Sequence, residues 1–306
     1  MLMGLSVTET VLLLACGVAL DLLLGEARRW HPLVGFGNMA MFIERRLNRG
    51  SWRLARGALA WALAVLPLAL LAVLANSDVL HALLLYFAIG LRSLREHNLP
   101  IADALEAGDL AGARALTARI VSRDTASAGE QDLAKASTES LLENGNDAVF
   151  GTLFWFVLAG GAGALLFRLA NTLDAMWGYR GSRFELFGRC AARIDDVLNY
   201  LPARLTALSY VLLADSRRLA WRCWRTQAPA WPSPNAGPVM ASGAGALGLA
   251  LGGAATYDGV DEMRPPLGQG RAPRAGDIAR AWGLVAKTTG LWLAVAGVIA
   301  AGSRYA

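Results

Sequence analysis

Apolar residues gather into six runs, at 11–24, 54–75, 79–94, 149–169, 201–214 and 283–301, separated by stretches rich in arginine and acidic side chains. A helix needs ~20 apolar residues to cross the hydrocarbon of a bilayer, with ~17 as a working minimum. The runs at 54–75 and 283–301 meet this easily, and 7–24 meets it with Asp21 at the interface. The run 79–94 is borderline, with His81 near one end. The run 149–169 is long enough but carries Gly160, Gly161 and Gly163 at its middle. Each glycine weakens a continuous helix by ~1 kcal/mol, which predicts a broken helix or a re-entrant hairpin there. The run 201–214 is short and contains Arg204, as an interfacial segment would. No alternating strand pattern stands out. The pattern predicts an all-α, polytopic integral membrane protein with about four full spans and one or two partial or re-entrant segments.

Loop charge orients these spans. Arg28, Arg29, Arg45, Arg46, Arg49, Arg53 and Arg56 face only Glu26 and Glu44 between the first two runs, so this loop is expected on the cytoplasmic side. The third run then returns the chain to the cytoplasm for 92–147. A single crossing by 149–169 would leave Arg180, Arg183, Arg189 and Arg193 outside, against the rule, whereas re-entry keeps them inside. Arg217, Arg218, Arg222 and Arg225 are cytoplasmic on the same logic.

A single membrane domain over 1–306 is expected, with a helical cytoplasmic loop at about 92–147 and a Pro/Gly-rich loop at about 226–282. Asp103 with Glu106, and Ser127 with Glu130, have the spacing of capping boxes, which predicts two or three helices between 101 and 143. Asn144-Gly145 is expected to end the last of them. The prolines of 228–238 are too dense for helix.

Composition agrees with a membrane reading: 55% of residues are hydrophobic and only 17% charged, which excludes disorder and collagen and disfavours a soluble enzyme. The net charge of +5 is spread over loops rather than gathered in one stripe, so it points to membrane orientation and not to nucleic acid. Cys16, Cys190 and Cys223 are widely spaced and predict neither a disulfide framework nor a zinc site.

Several groups of residues have the character of a site. Lys135, Glu139 and Glu143 share one helix face, followed at once by Asn144 and Asp147; the stripe is either a solvated ion-pair face or a set of carboxylates for Mg²⁺. Asp195 and Asp196 follow Arg193 and precede Asn199, Pro202 and Arg204. Paired oxygens beside guanidinium groups suit a metal-bound phosphate, and the alternative is a helix start with aspartates at its positive end. Arg123-Asp124-Thr125 is a surface turn or an anion site. Asn171, Thr172, Asp174 and Tyr179 follow the glycine break, where polar side chains at membrane depth would be costly. His31, within HPLVGFG, is a positioned base or a cap; His81 and His97 are expected to be structural. Gly243, Gly245 and Gly248 satisfy GxGxxG without a preceding strand, and Lys287-Thr288 lacks the glycine of a P-loop, so neither marks a nucleotide site.

In order, Asp21 with HPLVGFG and Glu44, VSRDT from Val121, ESLLENGND from Glu139, NTLDAMWGY from Asn171, FGRCAARIDDVLNYLPARLTA from Phe187, SPNAG from Ser233 and AGALGLALGG from Ala244 resemble the cobinamide or cobinamide-phosphate synthase family of cobalamin biosynthesis, the CobD/CbiB membrane proteins. The likeness covers about 21–270. It departs just after Asp147, where Ala148 and Thr152 stand in place of the family's glycine and proline.

The resemblance implies an enzyme of the bacterial inner membrane, its active site facing the cytoplasm. It would join aminopropanol, free or as its O-phosphate, to the free propionate of adenosylcobyric acid in an ATP-dependent amide ligation. Mg²⁺ and ATP are then the cofactor and co-substrate. It assigns Asp147, Asp195 and Asp196 to the metal, Arg123, Arg193 and Arg204 to phosphates, and Glu143, His31 or Asp124 to proton handling. Asn144, Asn171, Thr172, Asp174, Tyr179, Asn199 and Asn235 are assigned to substrate. The partners implied are the corrinoid, the amine and the lipid bilayer, with no nucleic acid; a homo-oligomer, or contact with other late cobalamin-pathway membrane enzymes, is left open. The main rival is a non-catalytic membrane sensor or scaffold of the same architecture, which would not need this set of acids and arginines. A transporter would need pseudo-symmetric halves, and none are visible.

Overall fold

A computed structural model of the chain describes residues 3–27, 31–179, 181–257 and 259–303. Arg28, Arg29 and Arg180, three of the arginines used above for orientation, lie outside the described residues. The elements run α1 (Val7–Leu24), α2 (Pro32–Leu47), α3 (Arg53–Leu74), α4 (Asp78–Ala88), α5 (Leu91–Glu106), α6 (Leu110–Thr117), α7 (Glu130–Gly145), a π-turn (Asn146–Phe150), α8 (Gly151–Trp177), α9 (Arg189–Leu213), α10 (Arg217–Gln227), a 3-10 turn (Ala228–Ala230), α11 (Ala236–Leu247), β1 (Leu251–Tyr257), β2 (Val260–Leu267) and α12 (Ala275–Gly302). Four stretches are long and apolar enough to cross a membrane: Val7–Leu24, Arg53–Leu74, Glu130–Trp177 and Ala275–Gly302. The molecule is a polytopic α-helical membrane protein.

Two compact units divide the chain. The first comprises 1–90, 147–199 and 293–306, the second 91–146 and 200–292. In the first, α1 starts on a true capping box, in which the Glu9 amide donates to Ser6 Oγ and the Ser6 amide to the Glu9 carboxylate. Leu12 and Leu23 of α1 and Leu63, Leu70 and Leu74 of α3 are exposed, as side chains that meet lipid are. The opposite faces form a core of Phe36, Ala60, Trp61, Val65, Leu173, Trp177 and Phe187.

The glycine-rich run does fold back. Ala159 and Gly160 leave helical geometry, Gly160 with φ 57°, a left-handed backbone that favours glycine. The Gly161 amide beyond the break donates to His81 Nδ1 at 2.9 Å, so His81 caps the second limb, as its expected structural role requires. The two limbs close on one another where the Phe167 ring meets Gly151. The part of α8 from Gly151 to Leu158, before the break, is ~12 Å long.

Three expectations are corrected in the remaining helices. The run 79–94 is not one span: it breaks at Ile89-Gly90 into α4 and α5, where the Gly90 amide donates to the Ala148 carbonyl instead of continuing the helix. Asp103 and Glu106 lie within α5, and the residue preceding α7 is Gly129, so neither proposed capping box caps a helix. Asn144-Gly145 does not stop the chain's helical course, because α7 passes through the π-turn directly into α8.

In the second unit, α10 packs on a wholly buried α11, where Gly243 faces Leu142 and Gly245 faces Ala220 and Cys223. The GxGxxG glycines therefore serve helix packing. The expected Pro/Gly-rich loop at 226–282 is mostly ordered, and β1 and β2 form an antiparallel hairpin with Leu251 opposite Leu267 and Tyr257 opposite Val260. Its strands carry Gly252, Gly253, Pro265 and Pro266, which hide the usual β signature, and a bulge at Gly252/Gly253 disrupts the alternation.

Candidate functional site

In the first unit the polar residues gather at the base of the re-entrant hairpin. Asp147 sits in the π-turn at its entrance, a type of helical irregularity common at functional sites. Asn171, Thr172 and Asp174 lie on the last turns of its exit limb, and Asp195, Asp196 and Asn199 on the early turns of α9. Asp195 is buried; its carboxylate accepts from Asn199 Nδ2 at 3.0 Å and from Asn171 Nδ2 at 3.3 Å. Burial, with the Asp147 charge adding to it, pushes the Asp195 carboxyl up to about 7, and the two amides only partly offset this. Burial also raises Asp196, with the Arg193 guanidinium opposing it. Asp174 feels the charges of both Asp195 and Asp196.

This excess of acid at a half-dry site suits a divalent cation, and its hard oxygen donors are of the right chemistry. Among the described residues, however, no three His, Cys, Asp or Glu side chains form a group that could hold a metal ion. Adjacent helix positions point in directions about 100° apart, so Asp195 and Asp196 do not present their carboxylates as a parallel pair. The donors present fit Mg²⁺ of the kind that takes one or two protein carboxylates and completes its shell with water and phosphate oxygens.

His31 caps α2, its Nδ1 accepting from the Leu33 amide at 3.2 Å. Burial lowers its pKa, Glu26 raises it and Arg168 lowers it again. The neutral ring then carries its proton on Nε2, so His31 offers a donor and its basic nitrogen is occupied. Thr172 Oγ1 donates back to the Arg168 carbonyl at 2.8 Å, Arg193 is exposed, and Tyr179 is exposed just beyond α8. The buried Glu44 carboxylate takes a two-pronged contact from Arg183, at 2.7 and 3.2 Å, which ties the segment before α9 to α2.

In the second unit the Lys135–Glu139–Glu143 stripe is not a solvated face. Glu139 is buried between Arg123 and Arg264, with Arg264 at 2.9 and 3.2 Å, and also accepts from the Gly252 amide at 2.8 Å. Asp124 accepts from the Gly259 amide at 2.7 Å and its own amide donates to the Thr256 carbonyl at 2.8 Å, which pins the VSRDT turn to the β-hairpin. Arg204 donates to Asn235 Oδ1 at 2.6 Å and to the Tyr200 and Pro234 carbonyls at 2.9 and 2.8 Å, while stacking on the Tyr200 ring. Asn144 turns back onto Ser140, and Glu143 is half-buried on the last turn of α7.

The candidates thus fall into two sets. Asp147, Asn171, Asp174, Asp195, Asp196 and Asn199 come together in the first unit, with His31 and Arg193 linked to the same neighbourhood only through charge. Arg123, Asp124, Glu143, Asn144, Arg204 and Asn235 belong to the second. Sequence reasoning passed over Arg264 and Arg168, which belong to no acidic or glycine-rich motif; a charged residue in an otherwise apolar run was the signal for Arg168.

Residues 14–285 match the profile of the family described as CobD/Cbib protein. The chain is 58% identical over 284 residues to the cobalamin biosynthesis protein CobD of Stutzerimonas stutzeri (strain A1501), covering 90% of this chain and 93% of that protein. It is 52% identical over 299 residues to the protein of the same name from Chromobacterium violaceum, covering 94% and 96%. The Mycobacterium tuberculosis H37Rv protein of that name is 39% identical over 274 residues, covering 87% and 88%. No solved structure matches the chain.

Proposed function

The chain belongs to the CobD/CbiB family of cobalamin-biosynthesis proteins, and on that premise we propose that it joins aminopropanol, free or as its O-phosphate, to the free propionate of adenosylcobyric acid in an ATP-dependent amide ligation. The observation that carries this reading is the acidic cluster at the base of the re-entrant hairpin, with Asp195 buried between the amides of Asn171 and Asn199. A carboxylate reacts with an amine only after one of its oxygens becomes a leaving group. Phosphoryl transfer supplies that change, and Mg²⁺, when bound, neutralises the charge that builds on the phosphates.

Asp147 and Asp195 would hold the ion, with Asp196 on the outer side. Asn171 and Asn199 hold the Asp195 carboxylate in one orientation, which fixes the direction of its lone pairs. Arg193 offers its guanidinium to phosphate at the exposed edge of α9. His31 presents Nε2–H to an oxygen acceptor, and Thr172 and Asp174 line the exit limb for the amide-rich rim of the corrinoid. Tyr179, Asn235, Asn144, Arg123, Arg204, Asp124 and Glu143 are candidates through their position in family motifs. The positive-inside pattern supports an inner-membrane protein whose site faces the cytoplasm.

Purified protein in detergent with adenosylcobyric acid, Mg-ATP and either amine, followed for amide product by mass spectrometry, tests the reading. Product supports the ligase. Demonstrated corrinoid binding with no product from either amine contradicts it and favours a sensor.

A further inference from the structure

Arg168 stands on the exit limb of the hairpin, in the otherwise apolar part of α8. A guanidinium at such depth is costly and is normally paired. Its Nε is sealed from solvent and has no hydrogen-bond partner among the described residues, although the residue as a whole keeps part of its surface accessible. Glu26 and Asp147 act on it through charge alone. An idle N–H held between two acids, neither of which closes on it, lacks the partner that would repay its desolvation.

The guanidinium lies beside the break between α4 and α5. A Cβ on Gly90 would come within 3.4 Å of the Ala148 side chain and 3.9 Å of Arg168 Nη2. His31, whose free Nε2 carries a proton, is close enough to feel the Arg168 charge. The guanidinium N–H groups thus lie next to the Gly90 backbone and within electrostatic range of His31.

We propose that Arg168 is a substrate-binding residue that receives an oxyanion beside Asp147. The guanidinium fork matches the paired oxygens of a carboxylate or a phosphate. Two sources share this chemistry, the free propionate of the corrinoid and a phosphate of the nucleotide or of the amine. Which ligands to offer rests on the ligase reading; the vacancy on the guanidinium does not.

The test uses full-length protein in detergent and equilibrium dialysis with adenosylcobyric acid, Mg-ATP and aminopropanol phosphate in turn, for wild type, Arg168→Gln and Arg168→Lys. Arg168→Gln should weaken one of the three about tenfold or more, while the others stay within about twofold. Arg168→Lys should lose less of the same ligand, because it keeps the charge and loses the fork. Selective loss of the corrinoid identifies the carboxylate as the oxyanion, and selective loss of either other ligand identifies phosphate. Unchanged affinity for all three, or an equal loss for all three, makes Arg168 a structural counter-charge and overturns the proposal. If Arg168→Gln fails to fold, Arg168→Lys is read alone by the same criterion. Selective loss in a wild-type background that forms no amide sinks the ligase reading and leaves the oxyanion site standing.

Discussion

Phe167 closes on Gly151: atoms of its ring come within 2.2 Å of the point where a Cβ on residue 151 would stand. In a straight helix those residues would be ~24 Å apart along the axis. This contact marks an apolar run that folds back on itself as a hairpin, and it brings Asp147 towards the turns that hold Asn171 and Asp174.

Gly151→Val should therefore destabilise the protein by about 1–3 kcal/mol, since the ring has no open space into which to retreat. Gly283 in α12 has nothing within 4 Å of its would-be Cβ, so Gly283→Ala should leave the melting temperature unchanged or slightly raised. Thermal unfolding in detergent compares the two. Equal effects would mean that the hairpin contact does not matter.

A hairpin that re-enters predicts sidedness. In a variant with Cys16, Cys190 and Cys223 replaced, Ser51→Cys and Tyr179→Cys should label with an impermeant maleimide from the same face of the membrane. Ser77→Cys, beyond the α3 span, should label from the opposite face. Labelling of positions 51 and 179 from opposite faces would show that α8 crosses.

The Glu139 carboxylate is only 3% exposed and lies against two guanidinium groups. Glu139→Gln leaves both, each with its side chain only 12% exposed, without that counter-charge, at an expected cost of about 3 kcal/mol. Lys135, which reaches the Ala254 carbonyl at 3.2 Å near the rim, should tolerate replacement by Met with a far smaller change. Chemical denaturation of the two variants checks the contrast.

The raised pKa of Asp195 has a definite sign in stability. Its carboxyl ionises near pH 4 when unfolded and near pH 7 when folded, so between these values the folded state binds more protons. Its contribution to stability is fully present below pH 4 and is lost as pH rises through about 7. Asp195→Asn, unable to ionise, should flatten that part of the profile of melting temperature against pH, measured without divalent cation. An unchanged profile would mean that Asp195 is not the titrating group.

Much of the membrane architecture was legible because hydropathy and the cost of glycine act locally: α1, α3, α12 and the break at Gly160 all follow from composition over a short window. The β-hairpin was not, because its order comes from contacts far away in the chain, Asp124 on the Gly259 amide and Glu139 on the Gly252 amide, which no period in 251–267 announces. Glu139 illustrates the same limit. Its spacing from Lys135 and Glu143 is that of a surface stripe, and only the arrival of Arg264 makes it a buried ion pair. The grouping of Asp195 with Asn199 was visible as one helix face, whereas Asn171 joins them only because the hairpin returns.

The central claim is that the acids at the hairpin base form the metal-dependent centre of an amide ligase. It is tested most directly by titrating Mg²⁺ into the adenosylcobyric acid, ATP and aminopropanol phosphate reaction and following the amide by mass spectrometry, for wild type, Asp195→Asn and Asp147→Asn. We expect saturable Mg²⁺ dependence in wild type, and in each folded variant a loss of rate of at least about a hundredfold or a large shift of the Mg²⁺ midpoint. Wild-type rate and an unshifted midpoint in both variants would contradict the account.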